Sequence, residues 1–547
     1  MRAIVTVLLA ATVGCSSASG TQDDDLPPTL EIQSPQRGTF SSSNDVTVTG
    51  KVTDEGAVRV TVNGTSVTPN ADGTFSATVT VASGVALIET HATDASGQDV
   101  RDVRAVLAGA VAPSDGSVKS AIGARLAPAG LSKVATAIAT SAQAIDFTAA
   151  GKALNPIYNN TGCLGARIDI TSVTVGPIAA SLVPKTGALD TTVTIDNVTV
   201  RLYATYKVAC IGGSTNIVVR STKARVRDDA GVTIVAGKLK TALPSPTVTL
   251  EGFSVDIGGV PGAIEDLLRG QARSAAERAI SSAIKSKVPA LADAKLAGLI
   301  AKPLATTLLG HGVTSSVVPT KVELSSTGLF VAVDTSILVE GGEGGSFVAN
   351  PMPITASLVG SAQSLGVAIA DDAVNQLFGG LWAAGSLDAT LPIDAVGPIA
   401  ALLDDSIATL DIRASLPPTM TTVGSGLELS LGDLIITGRD AAGSEVQAFA
   451  LSLRTTLVAG PTGDNRLVLT TTTPIVYAQV LAQSDAVENP LDASELEGIV
   501  TGVWGVIGGK LDDAIGKLPM PAVAGIQLGA PTVQGDAGYV VLDVGTP

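Results

Sequence analysis

The sequence predicts an α+β fold: a small all-β sandwich, then two passes through one series of helix, long antiparallel sheet, helix and closing strands. Three observations carry this. Val, Ile and Thr alternate with polar residues at period two through many long runs, which suits twisted sheet. Between those runs, apolar residues recur at helical spacing. The order also repeats: TGLFVAVDTS at 327–336 and AGYVVLDVGT at 537–546 each follow a helical stretch, as an internal duplication would give. The 547 residues leave room for three or four domains. They are 45% hydrophobic but only 3% aromatic, with a mean hydropathy of +0.41, so the apolar mass is aliphatic. A net charge of −16 excludes nucleic acid as a partner and gives no attraction to anionic membrane surfaces.

The chain opens on MRAIVTVLLAATVG, one arginine followed by an apolar run. That run falls short of the ~20 residues a bilayer span needs, and it has the flanks of a secretory signal. Gly14 and Cys15 follow, then SSASGTQDDDLPP. The cysteine behind small residues resembles the lipobox of bacterial lipoproteins, with Thr12 where Leu is usual. The resemblance implies a signal peptide over 1–14 and a diacylglycerol on Cys15. Residues 15–27 then serve as a flexible tether, because Ser, Gly, Thr, Gln and Asp bury too little apolar surface to fold. The tether reaches at most roughly 40 Å at about 3.3–3.6 Å per residue. Ser16 and Ser17 resemble the outer-membrane sorting pattern, which implies a bacterial envelope location, facing the periplasm or the cell surface.

Residues 28–107 read as an Ig-like β-sandwich. VTVTGKVTD, AVRVTVNGTSV, GTFSATVTV and ALIETHATDASG alternate at period two, and Asn63-Gly64, Asp72-Gly73 and Ser96-Gly97 punctuate them as turns. DGTFSATVTV resembles the repeated modules of bacterial surface proteins, which implies a spacer. A carbohydrate-binding role would want an aromatic platform, and none is visible.

From Val118 the period changes. Val118, Ile122 and Leu126, then Leu131, Val134 and Ile138, recur at helical spacing, with Pro128 as a kink. Two long strands follow, ARIDITSVTV and TTVTIDNVTVRLYATYKV. In the second, Val193 and Ile195 face one way and Val198, Val200 and Leu202 the other, which marks a bulge or a bend. The turn KTGALD lies midway between Cys163 and Cys210, so an antiparallel hairpin sets them opposite each other and predicts a disulfide. The next helix starts at Pro261, buries Ile264, Leu267, Leu268, Ile280 and Ile284, and is expected to stop before Pro289.

The second pass runs through VTSSVVPTKVELSSTGLFVAVDTSILVEG, the helix IADDAVNQLFGGLWAAG, and four strands from ATLDIRASL to NRLVLTTTTPIVYAQVL. It closes on SELEGIVTGVWGVIGGKLDDAIGKL, in which Ser494 and Glu497 are expected to form a capping box. Val503, Trp504, Ile507 and Leu511 fall on that helix's apolar stripe.

TVTIDNVTVRLYATYKV, IEDLLRGQARSAAERAISSAIKSKV, IADDAVNQLFGGLWAAGSLDATLP and LDIRASLPPTMTTVGSGLELSLGDLIITGRD resemble, in order more than identity, the tubular lipid-binding family of bactericidal/permeability-increasing protein and lipopolysaccharide-binding protein. The resemblance covers 116–547. It implies two tandem barrels, each a long helix wrapped by highly twisted antiparallel sheet, joined by a central sheet. The first would span 116–303, and the second, with central-sheet strands, 304–547. It also implies apolar slots for phospholipid or similar acyl-chain lipid. The candidate walls are Ile264, Leu267, Leu268, Ile280 and Ile284, with Val503, Trp504, Ile507 and Leu511. The family's antibacterial members are cationic at the tip that meets lipopolysaccharide, whereas this chain is acidic. The family's disulfide joins a strand to a different element, whereas this one closes a hairpin. Both departures weigh against a lipopolysaccharide role and leave the fold expectation intact.

Enzyme chemistry finds no support. The chain has two histidines: His91 shares a strand face with Glu89, and His311 falls where a joint between the halves is expected. There is no nucleophile elbow, metal spacing, phosphate loop or cofactor motif. Asp371-Asp372, Asp404-Asp405 and Asp512-Asp513 read as helix-end or polar-face pairs. The function expected is an envelope-anchored lipoprotein that binds or shuttles acyl-chain lipid. The alternative is a structural or adhesive surface lipoprotein that keeps the fold and binds none.

Overall fold

The computed structural model describes residues 26–110, 116–160, 162–297, 305–342, 353–359, 364–423, 426–461, 466–487, 490–502, 504, 518–519, 531–536 and 538–544. Cys15 with its leader, most of the tether, and Val503, Ile507, Leu511 and Asp512-Asp513 lie outside them.

The chain is mostly β and begins with a sandwich. Its strands are β1 (Thr29–Ser34), β2 (Thr39–Ser41), β3 (Asp45–Thr53), β4 (Arg59–Val62), β5 (Thr65–Val67), β6 (Thr74–Thr80), β7 (Gly84–Thr93) and β8 (Asp99–Ala108). One sheet has the order β1-β3-β6 and the other β2-β8-β7-β4-β5. Alternation decides which face is buried: Val46, Val48 and Val52 of β3 point inward and their neighbours outward. Asn63 and Gly64 both take positive φ, 46° and 75°, as a tight hairpin turn requires. Two compact units divide the chain. Of the described residues, those up to Gln36, Asp45–Thr80 and Ile88–Val103 form one; Arg37–Asn44, Val81–Leu87 and those from Arg104 on form the other.

Within the second unit the chain passes through β9 (Ser117–Leu126), α1 (Pro128–Ala142), α2 (Phe147–Lys152), β10 (Tyr158–Asn159), β11 (Leu164–Thr174), β12 (Ile178–Lys185), β13 (Ala188–Val208) and β14 (Ile211–Val235). Then come β15 (Lys238–Ala242), β16 (Thr247–Glu251), β17 (Ser254–Ile257), α3 (Gly262–Ala297), β18 (Ala305–Leu308), β19 (His311–Ser325) and β20 (Gly328–Val339). The second pass, begun at β18, continues with β21 (Leu365–Ala370), α4 (Asp371–Ala383), β22 (Ala389–Pro392), β23 (Thr409–Ala414), β24 (Thr419–Val423), β25 (Gly426–Arg439), β26 (Glu445–Pro461), β27 (Arg466–Thr471) and β28 (Ile475–Gln483). It ends with α5 (Ala493–Gly502), β29 (Leu518–Pro519), β30 (Pro531–Asp536) and β31 (Tyr539–Val544).

The topology carries the duplication. In the first pass β11 and β12 line up end to end on β13, β13 pairs with β14, and β15, β16 and β17 line β14. In the second, β23 and β24 lie on β25, β25 pairs with β26, and β27 and β28 line β26. Between the two curled sheets runs a seven-stranded sheet of order β18-β19-β20-β9-β21-β31-β30. At its middle β9 pairs antiparallel with β21. On their other edges β9 pairs with β20 and β21 with β31.

A crease crosses the first curled sheet. Pairing of β13 with β14 skips Asn197 and Thr222 together, so the break takes one residue from each strand. Asn197 sits at φ 49°. Gly176 donates to Asp196 O on one side, and Ser221 Oγ donates to Glu251 O (2.6 Å) on the other. Val193 and Ile195 before the break, and Val198 and Val200 after it, thus all face the same core. This is the bend that the slip in alternation predicts. Against that face lies α3, whose Ala272, Ala275, Ala276, Ala279 and Ala283 are each at most 1% exposed. Such small side chains let helix and sheet approach closely.

Several expectations are corrected. Val118–Leu126 is the strand β9, not helix. It is covered on both faces, which erases period-two alternation, and Ser120 at φ 49° breaks what remains. Pro128 opens α1 instead of kinking it, a position where its missing N–H costs nothing. α3 runs through Pro289 to Ala297. The capping box is Asp492 with Glu495, which exchange hydrogen bonds of 2.7 and 3.0 Å, while Glu497 instead accepts from Ala478 N–H at 2.9 Å. His311 starts β19, and its Nδ1 lies 3.0 Å from Glu340 O. Asp371 and Asp372 lie at a helix end as expected, in the first turn of α4, but are buried there instead of facing solvent. The last long strand divides into β27 and β28 around Thr472–Pro474.

Candidate functional site

The predicted disulfide is present. Cys163 and Cys210 are bonded, with Cα atoms 4.1 Å apart, and Cys210 N–H donates to Cys163 O at 3.1 Å. It closes the end of the β11–β13 ladder, where Leu164 pairs with Val208.

The sequence-derived wall residues of α3 fall on its sealed face. Ile264, Leu268, Ile280 and Ile284 are 0% exposed and belong to the large core cluster; Leu267 packs at its edge. Trp504 is also buried.

An apolar cleft lies further along the same helix. Its walls are Leu131, Val134 and Ile138 of α1 and Val288, Ala292 and Leu296 of α3, with Leu182 and Val193 of the curled sheet across from them. The helix faces follow from spacing: 288, 292 and 296 recur every fourth residue, which stacks them on one side. That stripe continues the one read from the sequence. Pro289 hid it, because a proline there signals a helix end. The two threonines in the lining keep their hydroxyl protons within the protein: Thr191 Oγ donates to Leu189 O at 3.0 Å, and Thr241 Oγ to Asp293 Oδ1 at 2.6 Å. The cleft therefore presents mainly hydrocarbon. It is narrow: the space open to the centre of a water molecule is about 30 Å³.

Asp293 stands at the rim. Besides the Thr241 hydroxyl, its Oδ1 accepts from Thr241 N–H at 2.6 Å, and its Oδ2 meets Lys240 Nζ at 3.0 Å. Burial alone would raise its carboxyl pKa, but the Thr241 and Lys240 hydrogen bonds outweigh that and hold it below the usual value.

Among the described residues no three His, Cys, Asp or Glu side chains could hold a metal ion. His91 lies between Asp99 (2.7 Å) and Glu89 (3.2 Å), each carboxylate facing a different ring nitrogen. Tyr539 is pushed up to about 12 by burial, with Asp372 and Asp371 adding, so its phenol stays protonated near neutrality. Among the described residues no helix is long and apolar enough to cross a membrane.

Residues 28–109 match the family model of glucodextranase domain B. No curated protein matches the chain. Among solved structures, lipopolysaccharide-binding protein is similar at 13% identity, covering 79% of this chain and 99% of that one, with a TM-score of 0.44. Latherin is similar at 15% identity over 32% of this chain and 86% of its own, with a TM-score of 0.20. The fibronectin(III)-like modules of Clostridium thermocellum CbhA are similar at 14% over 34% and 92%, with a TM-score of 0.13. No residue role passes from these proteins to this chain.

Proposed function

We propose that this chain is a non-enzymatic bacterial lipoprotein, held to the envelope through Cys15, that binds or shuttles phospholipid or a similar acyl-chain lipid. On this reading its two passes, 116–303 and 304–547, are tandem lipid-binding barrels. The observation that carries it is the hydrocarbon cleft between α1, the end of α3 and the curled sheet. Exposing an acyl chain to water costs about 0.8 kcal/mol per CH₂, so one long tail costs roughly 10 kcal/mol or more. A carrier must hide the tail, and aliphatic walls suffice for that.

The narrowness of the cleft favours a second reading, a structural or adhesive surface lipoprotein of the same fold. Organic extraction of the purified, leaderless protein followed by mass spectrometry separates the two. Lipid binding predicts stoichiometric phospholipid, or uptake of NBD-labelled phosphatidylcholine. Neither lipid nor uptake would leave the adhesive reading.

A further inference from the structure

We infer that the end of α3 beyond Pro289 is a hinged wall of the cleft, held shut by the bonds of its Asp293 to Thr241 and Lys240 of β15, and that a lipid tail passes when this wall swings out. The inference rests on the lipid-binding reading for its purpose and on geometry for its parts.

A cleft of about 30 Å³ admits little more than water, so a tail needs one wall to move. Most of the walls are fixed. α1 presents Leu131 and Val134, both 0% exposed. β13 is paired over nearly its whole length on both edges. α3 up to Ile284 is sealed into the core, with Ile264, Leu268, Ile280 and Ile284 at 0% exposure; Val288, Ala292 and Leu296 join the same cluster at 6%, 6% and 3%.

The segment from Pro289 to Ala297 differs. Pro289 has no N–H, so the Lys285 carbonyl lacks its intrahelical donor and the helix is weakest there. Just before that point Lys285 Nζ donates to Pro244 O at 2.7 Å, which pins the fixed part. Beyond it only Ala292 and Leu296 are buried, and both line the cleft. Leu291 packs part-buried at the edge of the same core, and among the described residues the polar tie of this segment is Asp293, with two hydrogen bonds to Thr241 and one to Lys240. Thr241 itself lines the cleft, so the latch sits on the rim it closes.

The test uses the leaderless full chain with Asp293→Asn and Thr241→Val to loosen the latch, and Pro289→Ala to stiffen the hinge. Hydrogen exchange read by mass spectrometry should show residues 290–297 exchanging about tenfold faster in the first two, the effect of roughly 1.4 kcal/mol. The same residues should exchange more slowly in Pro289→Ala, with 264–284 unchanged in all three. Release of preloaded NBD-labelled phosphatidylcholine should follow the same order. Unchanged exchange at 290–297, or acceleration spread evenly along α3, would overturn the hinge. Faster exchange with unaltered release would overturn its role as the passage. Should Pro289→Ala fail to fold, the two latch variants decide. If the wild type takes up no lipid, the function reading fails, and the exchange pattern still decides whether the wall is hinged.

Discussion

Asp433 shows how much one side chain can organise without leaving a trace in the local sequence. It sits in β25 at φ 45°, its side chain 1% exposed. Its Oδ1 meets Arg37 Nη1 at 2.5 Å, its Oδ2 accepts from Ala105 N–H at 3.0 Å, and its own N–H donates to Ser452 Oγ at 3.0 Å. Nearby, Val85, Ala105, Leu107 and Leu416 form one apolar cluster. Asp433→Ala should therefore cost about 3–5 kcal/mol, the range for removing one partner of a buried pair, read by urea unfolding. Burial raises the Asp433 carboxyl above 3.8 despite the pull of Arg37. A raised folded value means that its contribution is complete below 3.8 and lost as pH rises through the folded value. The stability of the wild type relative to Asp433→Asn should accordingly fall as pH rises above about 4. In sequence, GDLIITGRD looks like any strand. The partners that make Asp433 matter lie 396 and 328 residues away, and no periodicity encodes that.

At the level of elements, legibility followed burial geometry. β13 has one buried face, so its alternation is clean and even its one-residue slip could be read. The crease that the slip reports depends on Asn197 in left-handed backbone. Asn197→Val should destabilise by about 1–2 kcal/mol, whereas Asn197→Gly should be neutral or better, both measurable as shifts in thermal unfolding. β9 has two buried faces. Gly123 packs against Ile354 on one of them, and the spacing of Val118, Ile122 and Leu126 then imitates a helix. α3 was legible as far as Pro289. The cleft wall beyond it was not, because the proline rule is a statement about local cost, and here packing and the Asp293 tie offset that cost. The capping box lies two residues earlier than expected: Asp492 and Glu495 have the same spacing as Ser494 and Glu497, and only the fold chooses between them.

On the scale of the whole molecule, the duplication was visible as an order of elements, and the way its halves join was not. In the central sheet β18, β19 and β20 lie to one side of β9 and β21, β31 and β30 to the other, and both neighbours of β9, β20 and β21, come after the joint expected near His311. A protein ending at residue 303 should lack both neighbours of β9 and expose two bare strand edges. Size-exclusion chromatography of residues 26–303 should find it aggregated, while 26–547 elutes as a defined species.

The same strand order sets a timetable. β9 is made early, but β31, which completes the middle of the central sheet, follows it by about 410 residues. At about 5–20 residues per second the ribosome needs roughly 20 to 80 s to cover that distance. Throughout that wait the nascent chain carries an unfinished, sticky sheet, and whatever handles it before release must keep it from other chains until its own last strands arrive.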